Sequence, residues 1–279
     1  MINSNQGITF VVMKFMKDVS QAALILAGHG STTNGESSLP TRQHAEEIIR
    51  RGLFAEVKVA FWLEEPYFKD VVAGVKSSEI YLVPNFICEG FYTREILPRE
   101  FKLDGAVTKV GEHTIYYCEP VGLHPIMTDL LVQRAQKVLQ AEQVEAAKTC
   151  LLIAGHGTPK NKNSTREVYK QVELIRALGL FAQVEVVLME EAPFIKDWPK
   201  LTECTNVICV PFFIADGLHP AEDIPVMLGI TENAKLLGYK NPTEIHGRRL
   251  WYTSSIGTEL GMVDIILAQV GKSQKSFCS

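Results

Sequence analysis

The chain repeats itself. Leu24-Ile25-Leu26-Ala27-Gly28-His29-Gly30-Ser31 returns as Leu151-Leu152-Ile153-Ala154-Gly155-His156-Gly157-Thr158. The offset between the two histidines is 156 − 29 = 127. It holds without a gap over 24–98 against 151–225, where about 26 of 75 aligned pairs are identical. Farther on, 116–122 resembles 251–257, and the offset has grown to 257 − 122 = 135. A period this long excludes a solenoid and reads as two copies of one domain, each of ordinary size. The expected division is a leader over 1–21, a first domain over 22–145 and a second over 146–279.

In each copy an apolar run of strand length ends abruptly in Gly-His-Gly. The glycines permit a sharp turn, so the histidine is expected at the C-terminal end of a strand, where open α/β sheets bind ligands. Strands are expected over 22–27, 57–62, 79–87 and 114–118, and again over 150–154, 184–189, 207–214 and 250–254. Helices are expected over 39–51 and 93–101, and from Glu64-Glu65-Pro66, which has acids at the positive end of the dipole. A long helix over 124–140 is expected to close the first domain, with a linker over 141–148. The last helix is expected over 260–270, followed by a polar, frayed tail. Apolar strands alternating with helices imply a mostly parallel sheet covered on both faces, once per copy.

The 279 residues carry a net charge of −4, which argues against a general nucleic-acid or membrane-surface binder. No apolar run reaches the roughly 18 residues of a membrane span, and the start is a poor signal peptide. The six cysteines form no Cys-x-x-Cys pair and read as reduced thiols of a cytoplasmic protein.

The copies differ most informatively after the third strand, where His219 of the second is matched by Tyr92 of the first. If the first and third strands are neighbours, His156 and His219 leave the same edge of the sheet. Their imidazoles then suit one divalent ion such as Fe²⁺, Co²⁺, Ni²⁺ or Zn²⁺. The alternative for each Gly-His-Gly is a tight turn whose histidine bonds to backbone, and that alternative is stronger for His29, opposite a tyrosine. Glu190 and Glu191 end the second strand of the second copy and point to the same rim. One of them is a candidate third ligand or proton acceptor, and the other reading makes both helix-start acids. Lys160, Lys162 and Arg166 form a local basic cluster suited to an anionic ligand, or else are ordinary solvated loop charges. His44, His113, His124 and His246 read as surface or helix-start residues.

At these residues the sequence resembles the class II chelatases of the sirohydrochlorin chelatase (CbiX type) family. The strand-Gly-His-Gly-Ser start and the segment Val-Pro-x-Phe-x-x-x-Gly-x-His-x-x-Glu-Asp-Ile-Pro, at 210–225, carry the resemblance, which covers about 22–270. It implies two tandem flavodoxin-like (chelatase-like) domains related by internal duplication, with a cleft between them. It also implies insertion of Co²⁺ or Fe²⁺ into sirohydrochlorin, a tetrapyrrole, with His156 and His219 as the metal histidines. The metal is the inserted substrate, no organic cofactor is implied, and a homo-oligomer is compatible with the reading. Tyr92 departs from the family pattern, so the active half is expected to be the second. The alternative is a non-catalytic metal or tetrapyrrole carrier derived from a chelatase. A phosphate-binding α/β protein ranks last, because neither a P-loop nor Gly-x-Gly-x-x-Gly is present.

Overall fold

The computed structural model describes residues 17–158 and 162–276. Each copy forms a five-stranded sheet. The first holds β1 (Ala23–Gly28), β2 (Glu56–Phe61), β3 (Glu79–Pro84), β4 (Val107–Val110) and β5 (His113–Tyr117), in the order β2-β1-β3-β5-β4. The second holds β6 (Thr149–Gly155), β7 (Gln183–Leu188), β8 (Asn206–Pro211), β9 (Thr243–Ile245) and β10 (Arg248–Tyr252), in the order β7-β6-β8-β10-β9. Four strands of each sheet run parallel. The edge strands β4 and β9 are antiparallel to their neighbours and were not expected from the sequence. They are short, and their partners β5 and β10 follow after a two-residue turn.

Every residue of β1, β6 and β8 is buried, as expected of central strands covered on both faces. One face of the first sheet packs Ile25, Leu82 and Ile115 against Phe68, Leu97 and Phe101. The matching face of the second packs Leu152, Cys209 and Leu250 against Trp198 and Ile224. Helix α1 (Leu39–Arg51) stops at Gly52, whose φ of 63° forms a left-handed cap.

The long helices do not follow the repeat boundaries. The compact units are 1–124 with 260–279, and 125–259. Helix α2 (Ile126–Glu142), expected to close the first domain, belongs to the second unit, where Thr128 Oγ1 donates to Gln171 Oε1 of α3 (Lys162–Ala177) at 2.7 Å. Helix α4 (Met262–Ser276) belongs to the first unit. There Asp264 pairs with Arg51 at 2.7 Å, and Gln274 Nε2 donates to the Tyr81 hydroxyl. The two final helices are therefore exchanged between the sheets. The repeat itself gives no sign of this, because either helix carries an apolar face that suits either sheet.

Several local expectations are corrected. No helix starts at Glu64-Glu65-Pro66. The Phe61 N–H donates to the Pro66 carbonyl, which closes a tight loop, and the helix runs only over Phe68–Val71. The tail is not frayed through 276: α4 buries Gly271, Ser273 and Gln274. Residues 277–279, like 1–16 of the expected leader, lie outside the described residues, while Val19 is buried. His44 is buried, not at the surface. Cys88, Cys118, Cys150, Cys204 and Cys209 are free thiols. Burial pushes the Cys118 and Cys150 thiols up to about 12. No described helix is long and apolar enough to cross a membrane.

The growth in offset, 135 − 127 = 8 residues, falls between Pro225 and Trp251 of the second copy. It builds the short helix Ala234–Leu237, capped by the Asn233 side chain, which leaves Leu236 and Leu237 exposed. Gly257, by contrast, occupies the same place in both copies. A Cβ there would lie 2.2 Å from the Ile214 carbonyl oxygen; at Gly122 it would lie 1.8 Å from that of Ile87. These are backbone contacts and cannot be relieved by a rotamer change. Gly257→Ala is therefore expected to lose about 2–3 kcal/mol of stability or more in urea denaturation, against about 0.5 kcal/mol or less for Gly74→Ala, whose Cβ meets nothing. Equal stability of the two variants would contradict the close approach.

Candidate metal centre

The second unit brings His156 and His219 together. Adjacent parallel strands β6 and β8 pair with Ala154 opposite Pro211, so the segments leaving them start side by side. Gly157, just after the histidine, has a φ of 60°, and a Cβ there would meet Leu188 Cβ at 2.7 Å. The turn thus requires glycine twice over. The His156 carbonyl accepts the Met189 and Glu190 N–H groups at 3.1 and 3.2 Å, fixing the loop after β7 beside it. His219 opens the turn His219–Asp223, in which the Ile224 N–H reaches back five residues to the His219 carbonyl. Such π-helical turns recur at functional sites.

The two imidazoles lie with ring centroids 5.1 Å apart at 78°. Asp223 Oδ2 is 2.6 Å from His219 Nδ1. A carboxylate accepts only, so Nδ1 holds the proton and Nε2 presents its lone pair, which is how carboxylates orient ligating histidines. His156 is half-buried. Its Nδ1 has no hydrogen-bond partner, and its Nε2 lies 3.7 Å from Glu190 Oε1, beyond hydrogen-bond reach. Burial lowers the His156 pKa below its ordinary 6.5; the Glu190 carboxylate opposes this and His219 reinforces it. The ring is thus kept neutral, the form in which an imidazole binds a metal.

Of the two candidate glutamates, Glu190 is the one beside His156. Glu191 turns away and accepts from the Thr165 hydroxyl of α3. Lys162 and Arg166 are exposed on the first turns of α3 and make no ion pair among the described residues, while Lys160 lies outside them. Asp223 had no assigned role in the sequence reading, although its spacing of four from His219 on a helix was the available signal. No group of three or more His, Cys, Asp or Glu among the described residues is arranged to enclose an ion. The pair is an open site, on a rim rather than in a cage. A cavity of about 560 Å³ is lined by Pro220 and Ala221, which follow His219 in the chain, and by Arg134, Lys137, Tyr239 and Trp251, but not by either histidine.

The first unit keeps the frame and one histidine, and loses the polar groups around it. His29 faces Tyr92, with centroids 4.6 Å apart at 85°. Asp223 is replaced by Ile96, and Glu190 by Leu63.

The second copy of a duplicated, mostly parallel α/β fold thus sets two half-exposed imidazoles side by side at the carboxyl edge of its sheet. Residues 23–138 and 150–273 each match the model of the CbiX family, and the chain belongs to that family. A probable sirohydrochlorin cobaltochelatase of Halobacterium salinarum is 38% identical over 262 residues, 88% of this chain and 89% of that protein. Among solved structures, DR2241 of Deinococcus radiodurans, a multi-domain protein with structural similarity to chelatases, superposes with a TM-score of 0.76 at 29% identity. That match covers 91% of this chain, which spans 55% of DR2241. CbiX, the terminal enzyme of sirohaem biosynthesis in denitrifying bacteria, gives a TM-score of 0.62 at 22% identity, over 92% of this chain and 100% of its own, and shares the fold.

The electrostatics of His156 give a direct check. In metal-free protein, its imidazole C–H resonance is expected to titrate below pH 6.5. Glu190→Gln removes the one interaction that raises its pKa, so the midpoint is expected to move lower still. A midpoint that rises in this variant would contradict the arrangement.

Proposed function

We propose that the chain inserts a divalent metal, Co²⁺ or Fe²⁺, into sirohydrochlorin, with the reaction carried by its second unit. The observation that bears this reading is the His156–His219 pair, with Asp223 behind one ring and Glu190 beside the other. Family membership supports the reaction class, and the named activity of the Halobacterium salinarum relative supports cobalt. The free thiols suit a reducing compartment such as the cytoplasm.

In this reading His219 donates through Nε2 and His156 through its unpartnered ring to the incoming ion. Two imidazoles leave several positions for water, so the ion is held loosely enough to be handed on. Insertion replaces two macrocycle N–H protons by one M²⁺, and those two protons must leave. Once the ion has passed to the four ring nitrogens, each imidazole is a free base. Glu190, half-exposed, is placed to take the proton from His156 to solvent. Asp223 holds the His219 ring in place through its contact with Nδ1 in the same step. The carboxylate arms of the substrate are matched by Lys160, Lys162 and Arg166, the basic cluster that follows His156.

Purified protein is expected to metallate sirohydrochlorin, followed by the change in its visible absorption. His156→Ala and His219→Ala are expected to abolish insertion, and Asp223→Asn to slow it about 10–100-fold. Tyr92→Phe is expected to leave the rate unchanged. Full activity of His219→Ala would overturn the assignment. Tight metal or tetrapyrrole binding without product would favour a carrier instead.

A further inference from the structure

The first unit has kept one histidine of the pair and discarded everything around it that a free ion needs. His219, Asp223 and Glu190 have become Tyr92, Ile96 and Leu63. Burial raises the Tyr92 pKa, so its hydroxyl stays neutral and is no substitute for a ligating anion. His29 bonds to backbone, as the turn reading expects, and the same contact orients its ring. It is exposed, and its Nδ1 lies 2.9 Å from the Gly30 carbonyl oxygen. That oxygen can only accept, so Nδ1 carries the proton and Nε2 presents a lone pair. A backbone carbonyl fixing the tautomer in this way is a common support of a metal-ligating histidine. His156, in the equivalent place, has no such partner for Nδ1.

The surroundings are aromatic. Tyr92 lies edge-on to His29, stacks on Phe86 with centroids 5.9 Å apart, and meets Phe91 at 5.8 Å. Phe91 is 56% exposed, a large apolar ring left on the surface beside an oriented imidazole. One neutral nitrogen is too few donors for a hydrated ion. It is the right number for a metal that already holds four equatorial nitrogens and lacks only an axial ligand, as in haem proteins with a single proximal histidine. The exposed aromatic surface suits the flat apolar face of such a macrocycle.

We propose that His29, with Phe91 and Tyr92, forms a second site that binds a metallated tetrapyrrole, the product of the reaction, through its metal. The His29 Nε2 lone pair forms a bond to the axial position and a bound water leaves; no electron changes hands and the proton stays on Nδ1, donated to the Gly30 carbonyl oxygen. The identity of the ligand as product rests on the function proposed above, but the site is separable from insertion by mutation.

The test uses the full chain and chemically prepared cobalt(II) sirohydrochlorin, followed by electron paramagnetic resonance. In low-spin cobalt(II) the unpaired electron points along the axial direction, so one axial nitrogen splits each cobalt line into three. The double variant His156→Ala/His219→Ala, which removes the other candidate imidazoles, is expected to keep the three-line pattern. Adding His29→Ala is expected to remove it, and Phe91→Ala to weaken binding without changing the pattern. His29→Phe, which keeps a ring packed on Tyr92, serves if the alanine variant misfolds. His29→Ala alone is expected to insert metal at the unaltered initial rate. Absence of nitrogen splitting in the double variant, or its survival without His29, would overturn the second site. Failure of the unsubstituted protein to insert metal would instead overturn the proposed function, and leave the splitting as a separate fact.

Discussion

The site depends on one backbone turn. At the end of β6 the chain must reverse within Gly155-His156-Gly157, and only a glycine at 157 fits both the positive φ and the Leu188 side chain beneath it. With the turn made, the His156 carbonyl gathers the N–H groups of Met189 and Glu190, and a carboxylate comes to the side of the imidazole. The register of β6 against β8 brings the His219 turn alongside. Three loops, from three neighbouring parallel strands, are thus tied by backbone geometry before any metal is considered. This is the usual logic of sites at the carboxyl edge of open α/β sheets.

Duplication shows which parts of that arrangement are scaffold. The Gly-His-Gly turn, its two accepted N–H groups, the π-helical turn after the third strand and the glycine pressed against backbone occur in both units. They persist where the donors have gone, so they serve the fold. What separates the halves is a small set of side chains that act together. His219 without Asp223 would be free to take either tautomer, and His156 without Glu190 would lose its neighbouring base. The coordinated replacement by Tyr92, Ile96 and Leu63 reads as the loss of one chemical unit rather than three unrelated changes.

Much of this was legible in the sequence, because the repeat fixed strand equivalences and the strand ends placed His156 and His219 on one rim. The meeting of the two histidines was conditional on the first and third strands being neighbours, which the pairing of β6 with β8 bears out. The choice between Glu190 and Glu191 was not legible: both leave the same strand end, and which one faces the histidine is decided by the two N–H groups of the 189–190 loop and by Thr165. Asp223 was hidden by its position inside a helix-forming run, where an acid reads as a dipole partner. The exchange of α2 and α4 was hidden for a different reason. Sequence periodicity reports that a helix has an apolar face, not which sheet covers it. His44 and the tail through Ser276 were misread because polar residues count as exposed until a partner is seen. Gln274 reaches the Tyr81 hydroxyl across 193 positions of sequence, which no local pattern reports.

The central claim is that one ion is shared by the two imidazoles of the second unit. Crystals soaked in Co²⁺ and measured on both sides of the cobalt absorption edge test it most directly. The account predicts an anomalous peak about 2.1 Å from His219 Nε2 and from a ring nitrogen of His156, with Asp223 still bonded to His219 Nδ1. A cobalt peak held by only one of these rings, or none at this rim while cobalt binds elsewhere, would contradict it.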